Sequence, residues 1–138
     1  MKVKRLTETA KLPTKANPGD LGYDLYADVS GSVGPGVSVE IKTGIAIEFP
    51  EGVGGIIKDR SSLARNGLHI SGGVIDSGYR GEIIVVMGNH DAGTHYIGKG
   101  QKIAQLILVP VIDVEVEETT EPFLQTVRGG KGFGSSGQ

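Results

Sequence analysis

Val37-Ser38-Val39-Glu40-Ile41-Lys42 alternates apolar and polar side chains with a period of two. This pattern is typical of a β-strand with one buried and one exposed face. Two richly apolar stretches, residues 83–87 and 103–109, predict buried strands. Residues 112–117 again alternate, here between Ile or Val and acidic side chains, and predict another half-buried strand. The sequence therefore predicts a fold in which strands dominate.

Turn-forming sequences separate these strands, at residues 17–20, 34–36 and 91–93. Glycine occurs 23 times in 138 residues without a regular period, which indicates many tight turns and close backbone approaches. Several short strands joined by such turns favour a sandwich or a barrel. One short helix is predicted at residues 62–66, with Asp59 or Ser61 as its N-cap and Gly67 at its end.

Length and composition indicate one domain, because 138 residues with 38% hydrophobic side chains can build one core. The net charge of −2 gives no strong field toward nucleic acid or anionic membranes, so neither is expected as a partner. Without cysteine there is no disulfide framework or thiolate metal site. Residues 1–9 lack an apolar segment, and no apolar run reaches the roughly 18 residues that span a bilayer. We expect a cytoplasmic or otherwise intracellular protein.

Two familiar nucleotide-binding patterns occur without the context that they need. Residues 93–99 resemble the start of a P-loop, but Gly100 stands where a Ser or Thr should follow, and the next predicted element is a strand. Residues 132–137 match the glycine pattern of dinucleotide-binding folds, but no helix follows to receive a pyrophosphate. Neither pattern predicts a site, and none of the three histidines has metal-ligand spacing.

Arg60, Ser61 and Ser62 precede the predicted helix. A helix start offers free N–H groups, and an arginine with two hydroxyls there suits a phosphate. A plain N-cap beside a surface arginine explains the segment equally well.

Asp76 follows Val74-Ile75 and precedes the turn residues 77–81, so it places a carboxylate in a hairpin at the end of a strand. Taken alone, an Asp that only stabilises the turn is the favoured interpretation.

Residues 128–138 contain five glycines and one large apolar side chain, which predicts a mobile tail. Its basic and hydroxyl side chains could wrap a polyanion, with Phe133 stacked on a base, or it could be a disordered terminus.

Five segments resemble, in order and spacing, the motifs of the homotrimeric deoxyuridine triphosphatase (dUTPase) family. They are Pro18–Ala27, Arg60–Ala64, Gly73–Gly81 continuing to Asn89, Gly100–Leu106 and Arg128–Gly137. The resemblance covers nearly the whole chain. It implies an all-β domain over residues 1–127, a distorted jelly-roll or β-barrel with one short helix. It also implies a flexible C-terminal arm, residues 128–138, that closes over the active site.

Three residues depart from the family pattern. Asp59 stands where the family usually has proline, Lys102 where it has arginine, and Lys131 where it has glycine. The two lysines keep or add positive charge, so phosphate affinity is expected to survive. Asp59 adds a negative charge beside the expected phosphate site.

The resemblance implies hydrolysis of dUTP to dUMP and pyrophosphate with Mg²⁺ as cofactor. Asp76 resembles the base that activates water for attack on the α-phosphorus, which is reasonable because an ordinary aspartate is ionised at neutral pH. Asp24 resembles the residue that reaches Mg²⁺ through water. Further residues match the family's phosphate contacts, those of the arm included: Arg60, Ser61, Ser62, Gln105, Arg128, Ser135 and Ser136. Gly134 matches a further substrate-binding residue of the arm.

The nucleoside contacts implied by the resemblance lie mostly in one hairpin. Uracil is bound by the backbone of residues matching Gly73, Val74, Ile75, Asp76 and Ile84. Tyr79 matches the residue beneath the sugar, where a 2′-hydroxyl would clash, and Phe133 matches the aromatic that stacks on uracil. The family implies a homotrimer with shared active sites.

Two alternatives share this fold, a dCTP deaminase-type enzyme and a nucleotide-sensing protein. The glycine-rich arm and Tyr79, where deaminases typically carry tryptophan, argue against the deaminase. An intact Asp76 argues against a protein that only binds nucleotide.

Overall fold

Antiparallel strands make up most of the regular structure in residues 1–130, the part of the chain that the computed structural model describes. Lys131, Phe133, Gly134, Ser135 and Ser136 lie outside the described residues. The elements in chain order are β1 (Lys2–Arg5), β2 (Gly22–Tyr26), β3 (Gly31–Val33), β4 (Ser38–Glu48), β5 (Val53–Lys58), α1 (Ser61–Ala64), β6 (Leu68–Ile70), β7 (Val74–Ile75), β8 (Glu82–Asn89), β9 (His95–Ile97) and β10 (Lys102–Pro110).

The strands form two four-stranded sheets, in the orders β1-β4-β8-β6 and β2-β10-β5-β7, and a two-stranded sheet of β3 and β9. Every pairing is antiparallel. Side chains from both larger sheets belong to one buried cluster, so these two sheets pack face to face around a single core. The prediction of an all-β fold with one short helix is confirmed.

Alternating burial explains why the predicted strands form. In β8, Ile83, Val85 and Met87 are fully buried, whereas Ile84 and Val86 between them are only partly buried. In β4 the inward positions include Ile41, which the period-two pattern placed on the core face. The buried faces of these two paired strands supply much of the core.

The strand predicted for residues 112–117 is wrong for the single chain, because no strand follows Pro110 within the described residues. The alternating side chains are instead largely exposed: Ile112 at 79%, Val114 at 77% and Val116 at 98%. The preceding strand β10 is flanked on both sides by β2 and β5. An apolar stripe alone does not make a strand, since a strand also needs an edge to pair with.

The predicted helix exists as one turn, and Gly67 ends the segment with φ at +79°, a conformation that favours glycine. The predicted N-cap is wrong. Arg60 occupies that position without a side-chain capping bond, and Asp59 instead accepts a hydrogen bond from the Ile70 N–H at 2.7 Å. Among residues 1–130, no helix has the length and apolar character needed to cross a membrane.

Candidate active site

A polar cleft of about 300 Å³ lies where β2 and β10 meet the start of α1. We call it the polar cleft. Its lining residues are Ala16, Asp20, Leu21, Gly22, Asp24, Arg60, Ser61, Ser62, Lys102 and Gln105. Two cationic side chains, two hydroxyls and an amide therefore face one space, which is the chemistry that binds phosphate oxygens.

Strand pairing places the central residues of the polar cleft. Asp24 in β2 lies directly opposite Gln105 in β10, so both side chains are on the same face of the sheet. In a regular strand Lys102 would point to the other face, because it is three residues from Gln105. A register shift between Lys102 and Ala104 corrects this, and Lys102 also lines the cleft.

Gln105 fits closely into this arrangement. Its Nε2 donates a hydrogen bond to the main-chain oxygen of Asp59 at 2.7 Å. A Cβ atom added at Gly22 would lie only 2.4 Å from Gln105 Oε1, so only glycine leaves room for the amide in this position. Gly22 and Asp59 therefore orient Gln105 along the cleft.

Asp24 is bound by two cations in the polar cleft. Its Oδ1 accepts a hydrogen bond from Arg60 Nη1, and its Oδ2 lies 2.7 Å from Lys102 Nζ. The Asp24 side chain is 15% exposed and that of Arg60 26%, so the ion pairs lie partly out of solvent. The carboxylates of Asp24 and Asp20, which also line the cleft, balance these two cations in formal charge, so an anionic ligand would have to compete with Asp24 for Arg60 and Lys102.

A second cleft of about 170 Å³ lies beside the turn between β7 and β8, and we call it the hairpin cleft. Val74, Ile75, Asp76, Tyr79, Glu82 and Ile84 line it. The Tyr79 N–H donates to the Asp76 main-chain oxygen at 3.0 Å, which closes a tight turn with Asp76 at its first position. Asp76 is exposed, and among residues 1–130 its carboxylate has no hydrogen-bond partner.

The approach of the chain to β7 depends on Gly73. It has φ at +92°, and an added Cβ would lie 2.7 Å from the Ile57 main-chain oxygen. The Gly73 oxygen accepts the Ile57 N–H at 2.7 Å, and Ile75 then pairs with Gly55 of β5. Glycine therefore lets the hairpin lie close against β5.

Tyr79 forms one wall of the hairpin cleft through a local contact. Its hydroxyl donates to the Glu82 main-chain oxygen at 3.0 Å. A Cβ at Gly81 would lie 2.4 Å from that hydroxyl, so the ring can fold back only over a glycine.

The structure divides the predicted site residues between the two clefts. Asp24, Arg60, Ser61, Ser62 and Gln105 line the polar cleft, and Val74, Ile75, Asp76, Tyr79 and Ile84 line the hairpin cleft. Gly73 adjoins the hairpin cleft, whereas Arg128 lines neither cleft. The four predicted arm residues 133–136 lie outside the described part of the chain.

Three charged lining residues were missed as site residues, namely Asp20, Lys102 and Glu82, and so were the uncharged Ala16, Leu21 and Gly22. Lys102 gave one signal, since it stands where the family has arginine, but only the register shift in β10 shows that it faces the cleft. Asp20 belongs to the Asn-Pro-Gly-Asp turn, where its Oδ2 accepts the Asn17 N–H at 2.8 Å. Its position at the cleft could not be distinguished from ordinary turn chemistry.

An antiparallel fold whose polar cleft holds an arginine, a lysine, two hydroxyls and an amide, beside a carboxylate-bearing hairpin, defines an all-β protein suited to a phosphorylated ligand. A family model described as dUTPase matches residues 8–137. The deoxyuridine 5'-triphosphate nucleotidohydrolase of Clostridium tetani (strain Massachusetts / E88) is 41% identical, covering 100% of this chain and 97% of the relative. The enzyme of the same name from Cowpox virus is 42% identical over 95% of this chain and 88% of its own.

Solved structures agree with these matches. A Staphylococcus bacteriophage 80alpha dUTPase variant with dUpNHpp has a TM-score of 0.93 and 30% identity, covering 99% of this chain and 98% of its own. A dUTPase variant from phage phi11 of S. aureus, described for its coordination of a structural Mg(II) ion, has a TM-score of 0.82. It is 28% identical, and the match covers 87% of this chain and 96% of that one. The chain belongs to the dUTPase family, and it is an enzyme that hydrolyses dUTP.

Proposed function

We propose that this dUTPase forms dUMP and pyrophosphate by attack of an Asp76-bound water on the α-phosphorus of dUTP. The observation that carries the proposal is the division of the site, with cations in the polar cleft and an exposed carboxylate in the hairpin cleft. The cations of the polar cleft can bind a triphosphate, and the carboxylate of the hairpin cleft can bind an attacking water. The water oxygen forms a bond to the α-phosphorus, and the bond between the α-phosphorus and the oxygen that bridges it to the β-phosphorus breaks. That oxygen leaves with pyrophosphate, and the proton of the water passes to Asp76.

The main chain supports this role for Asp76. Its own main-chain oxygen accepts the Tyr79 N–H, so the turn is held without using the carboxylate. An exposed carboxylate with no hydrogen-bond partner among residues 1–130 can hold a water and accept its proton.

The polar cleft holds the triphosphate in this proposal. Arg60 and Lys102 supply positive charge, and Ser61, Ser62 and Gln105 supply neutral hydrogen-bond donors. Both cations bind Asp24 in the structure, so phosphate oxygens would compete with that carboxylate for them.

The donor atoms of the polar cleft also fit Mg²⁺, which prefers oxygen ligands and keeps several of its waters. Asp24 presents a carboxylate there that can hold one of these waters, and triphosphate oxygens would bind the ion directly. We propose that Asp24 holds the ion through water, and that Mg²⁺, when bound, neutralises charge on the phosphate oxygens.

Uracil specificity follows from the position of β7. This two-residue strand pairs with β5 on one side and is the last strand of its sheet among the described residues. An edge strand leaves outward main-chain N–H and C=O groups to bind a ligand. We propose that Gly73 to Asp76 bind uracil in this way, with Ile84 as the opposite wall and Tyr79 beneath the sugar.

Assembly as a homotrimer with shared active sites belongs to the same proposal. Residues 1–127 form the domain, and residues 128–138 form the arm that carries Arg128, Phe133, Gly134, Ser135 and Ser136 to a site on another subunit. Two observations support it. The site residues of one chain form two separate clefts, and the alternating side chains of residues 112–117 are exposed and could pack on a neighbour.

One assay tests the reaction. Purified protein with Mg²⁺ is given dUTP, dCTP, UTP or dTTP, while pyrophosphate and ammonia are measured and the solution mass is determined. We expect pyrophosphate from dUTP alone at an appreciable rate, and a mass of three chains. Ammonia from dCTP would indicate a deaminase, and tight binding of dUTP without turnover would indicate a sensor.

A further inference from the structure

Asp59 departs from the family pattern, and its side chain lines neither cleft. It follows β5 directly and precedes Arg60, so a negative charge stands next to a residue proposed to bind phosphate. An uncompensated carboxylate here would repel the triphosphate. The structure shows that this carboxylate is bound elsewhere.

Two groups of β6 bind the Asp59 carboxylate. Its Oδ1 accepts the Ile70 N–H at 2.7 Å, and its Oδ2 lies 3.0 Å from His69 Nδ1. Burial alone would raise the pKa of the Asp59 carboxyl, but the Ile70 amide and the His69 ring outweigh it and hold the pKa below its usual value. The side chain is therefore an ionised anchor on β6.

The main chain of Asp59 contacts residues of the polar cleft, whereas its side chain contacts β6. Its carbonyl oxygen accepts the Gln105 Nε2–H at 2.7 Å, and its peptide bond leads into Arg60. One residue thus connects β6 to two side chains that line the cleft. A change in the anchor would move both of them together.

We propose that Asp59 is a positioning residue for dUTP hydrolysis: bound by His69 and the Ile70 N–H, it sets the positions of Arg60 and Gln105 against the phosphates. The proposal rests on the placement of the triphosphate in the polar cleft. The family usually has proline at this position, and the proline ring restrains the backbone before the arginine. In this chain the hydrogen bonds of the Asp59 side chain restrain the same backbone.

Steady-state kinetics separate positioning from stability. In Asp59→Ala we expect KM for dUTP and the inhibition constant of inorganic pyrophosphate to rise together by about tenfold, since small misplacements of binding groups are costly. The value of kcat should change far less. A purely structural role would instead lower the folded fraction, and with it kcat and the melting temperature, at unchanged KM.

His69 provides the matched variants. His69→Ala should raise KM by about threefold in the parent and have no further effect in Asp59→Ala, because the two residues act as one unit. His69→Asn, whose amide N–H can replace Nδ1, should restore KM. If Asp59→Ala does not fold, His69→Ala decides the matter, and an unchanged KM there overturns the proposal.

Asp91 provides the control, because it forms a similar pair, with Oδ2 at 3.1 Å from His95 Nε2, and lines neither cleft. Asp91→Ala should leave KM and the pyrophosphate inhibition constant unchanged. A parent enzyme that does not hydrolyse dUTP refutes the proposed function. A parent that hydrolyses it, with Asp59→Ala at the parent KM, refutes only the positioning role.

Discussion

Asp76 illustrates how the chemistry of a residue depends on its backbone. The same side chain in another turn would bind main-chain N–H groups and stabilise the turn, as aspartates commonly do. Here the Asp76 main-chain oxygen accepts the Tyr79 N–H, and the carboxylate faces the hairpin cleft. The sequence could not distinguish these two roles, since both use an aspartate after a strand.

Asp76→Asn should lower kcat by at least about 100-fold, because the amide keeps nearly the same shape but cannot accept a proton from water. The affinity for dUpNHpp should stay within about threefold of the parent value. Rapid-quench measurement of pyrophosphate release and calorimetric titration give the two quantities. Hydrolysis within tenfold of the parent rate would exclude Asp76 as the base.

Tyr79 should control discrimination between dUTP and UTP. Tyr79→Ala removes the ring that lines the hairpin cleft and opens space for a 2′-hydroxyl. We expect the ratio of kcat/KM for UTP to that for dUTP to rise by about tenfold or more.

Tyr79→Phe is the matched control for this experiment. It keeps the ring and removes only the hydrogen bond to the Glu82 main-chain oxygen, so discrimination should remain close to that of the parent. A UTP-to-dUTP ratio that is unchanged in Tyr79→Ala would place sugar selection at another residue.

At the scale of elements, Asp28 holds the N-terminal segment against the sheets. This carboxylate is buried and accepts hydrogen bonds from the hydroxyls of Thr7 at 2.6 Å and Thr9 at 2.7 Å. These bonds hold the pKa of the Asp28 carboxyl below its usual value, although burial acts in the opposite direction. Gly44 of β4 makes the contact possible, since a Cβ there would lie 2.8 Å from Asp28 Oδ2.

Asp28 should therefore make the protein sensitive to acid. A carboxyl with a lowered pKa in the folded state stabilises the fold above its unfolded pKa of about 3.9, and the contribution is lost as pH falls through the folded value. Asp28→Asn should lower the free energy of unfolding at pH 7 by about 1–3 kcal/mol. It should also narrow the difference in stability between pH 7 and pH 3.

Urea unfolding at fixed protein concentration measures both effects. Glu40→Gln, which removes a carboxylate from an exposed position in β4, should change neither quantity appreciably. Equal acid sensitivity of Asp28→Asn and the parent would show that other carboxyls dominate.

At the scale of the whole molecule, the proposed trimer can be tested by mixing two inactive variants. One carries Asp76→Asn and the other is truncated after Val127. If the hairpin and the arm at each site come from different chains, random co-refolding in equal amounts gives an intact pair at about a quarter of the sites. We expect about that fraction of the parent activity, far above the residual activity of either variant alone.

The control is a mixture of the two variants that were assembled separately and then combined without refolding. It should stay inactive while the trimers do not exchange subunits. Mixed trimers that are shown to form and yet remain inactive would mean that each arm closes over its own chain.

The sequence by itself determined the fold class and the family, because both depend on local signals. Period-two alternation specified strand β4, the apolar runs specified β8 and β10, and glycine at position 67 specified the end of α1. By resemblance, the motifs also predicted Asp24, Arg60 and Asp76 as site residues, and the structure places these residues in the two clefts.

Only the tertiary structure decided which of these residues line the same cleft. A register shift in β10 brings Lys102 to the polar cleft. Asp59 was predicted as a helix cap, but its side chain binds the Ile70 N–H of β6 instead. Residues 112–117 have the alternation of a strand but pair with no other strand among residues 1–130. Strand register and free edges depend on contacts between residues far apart in sequence, and local patterns carry no information about those contacts.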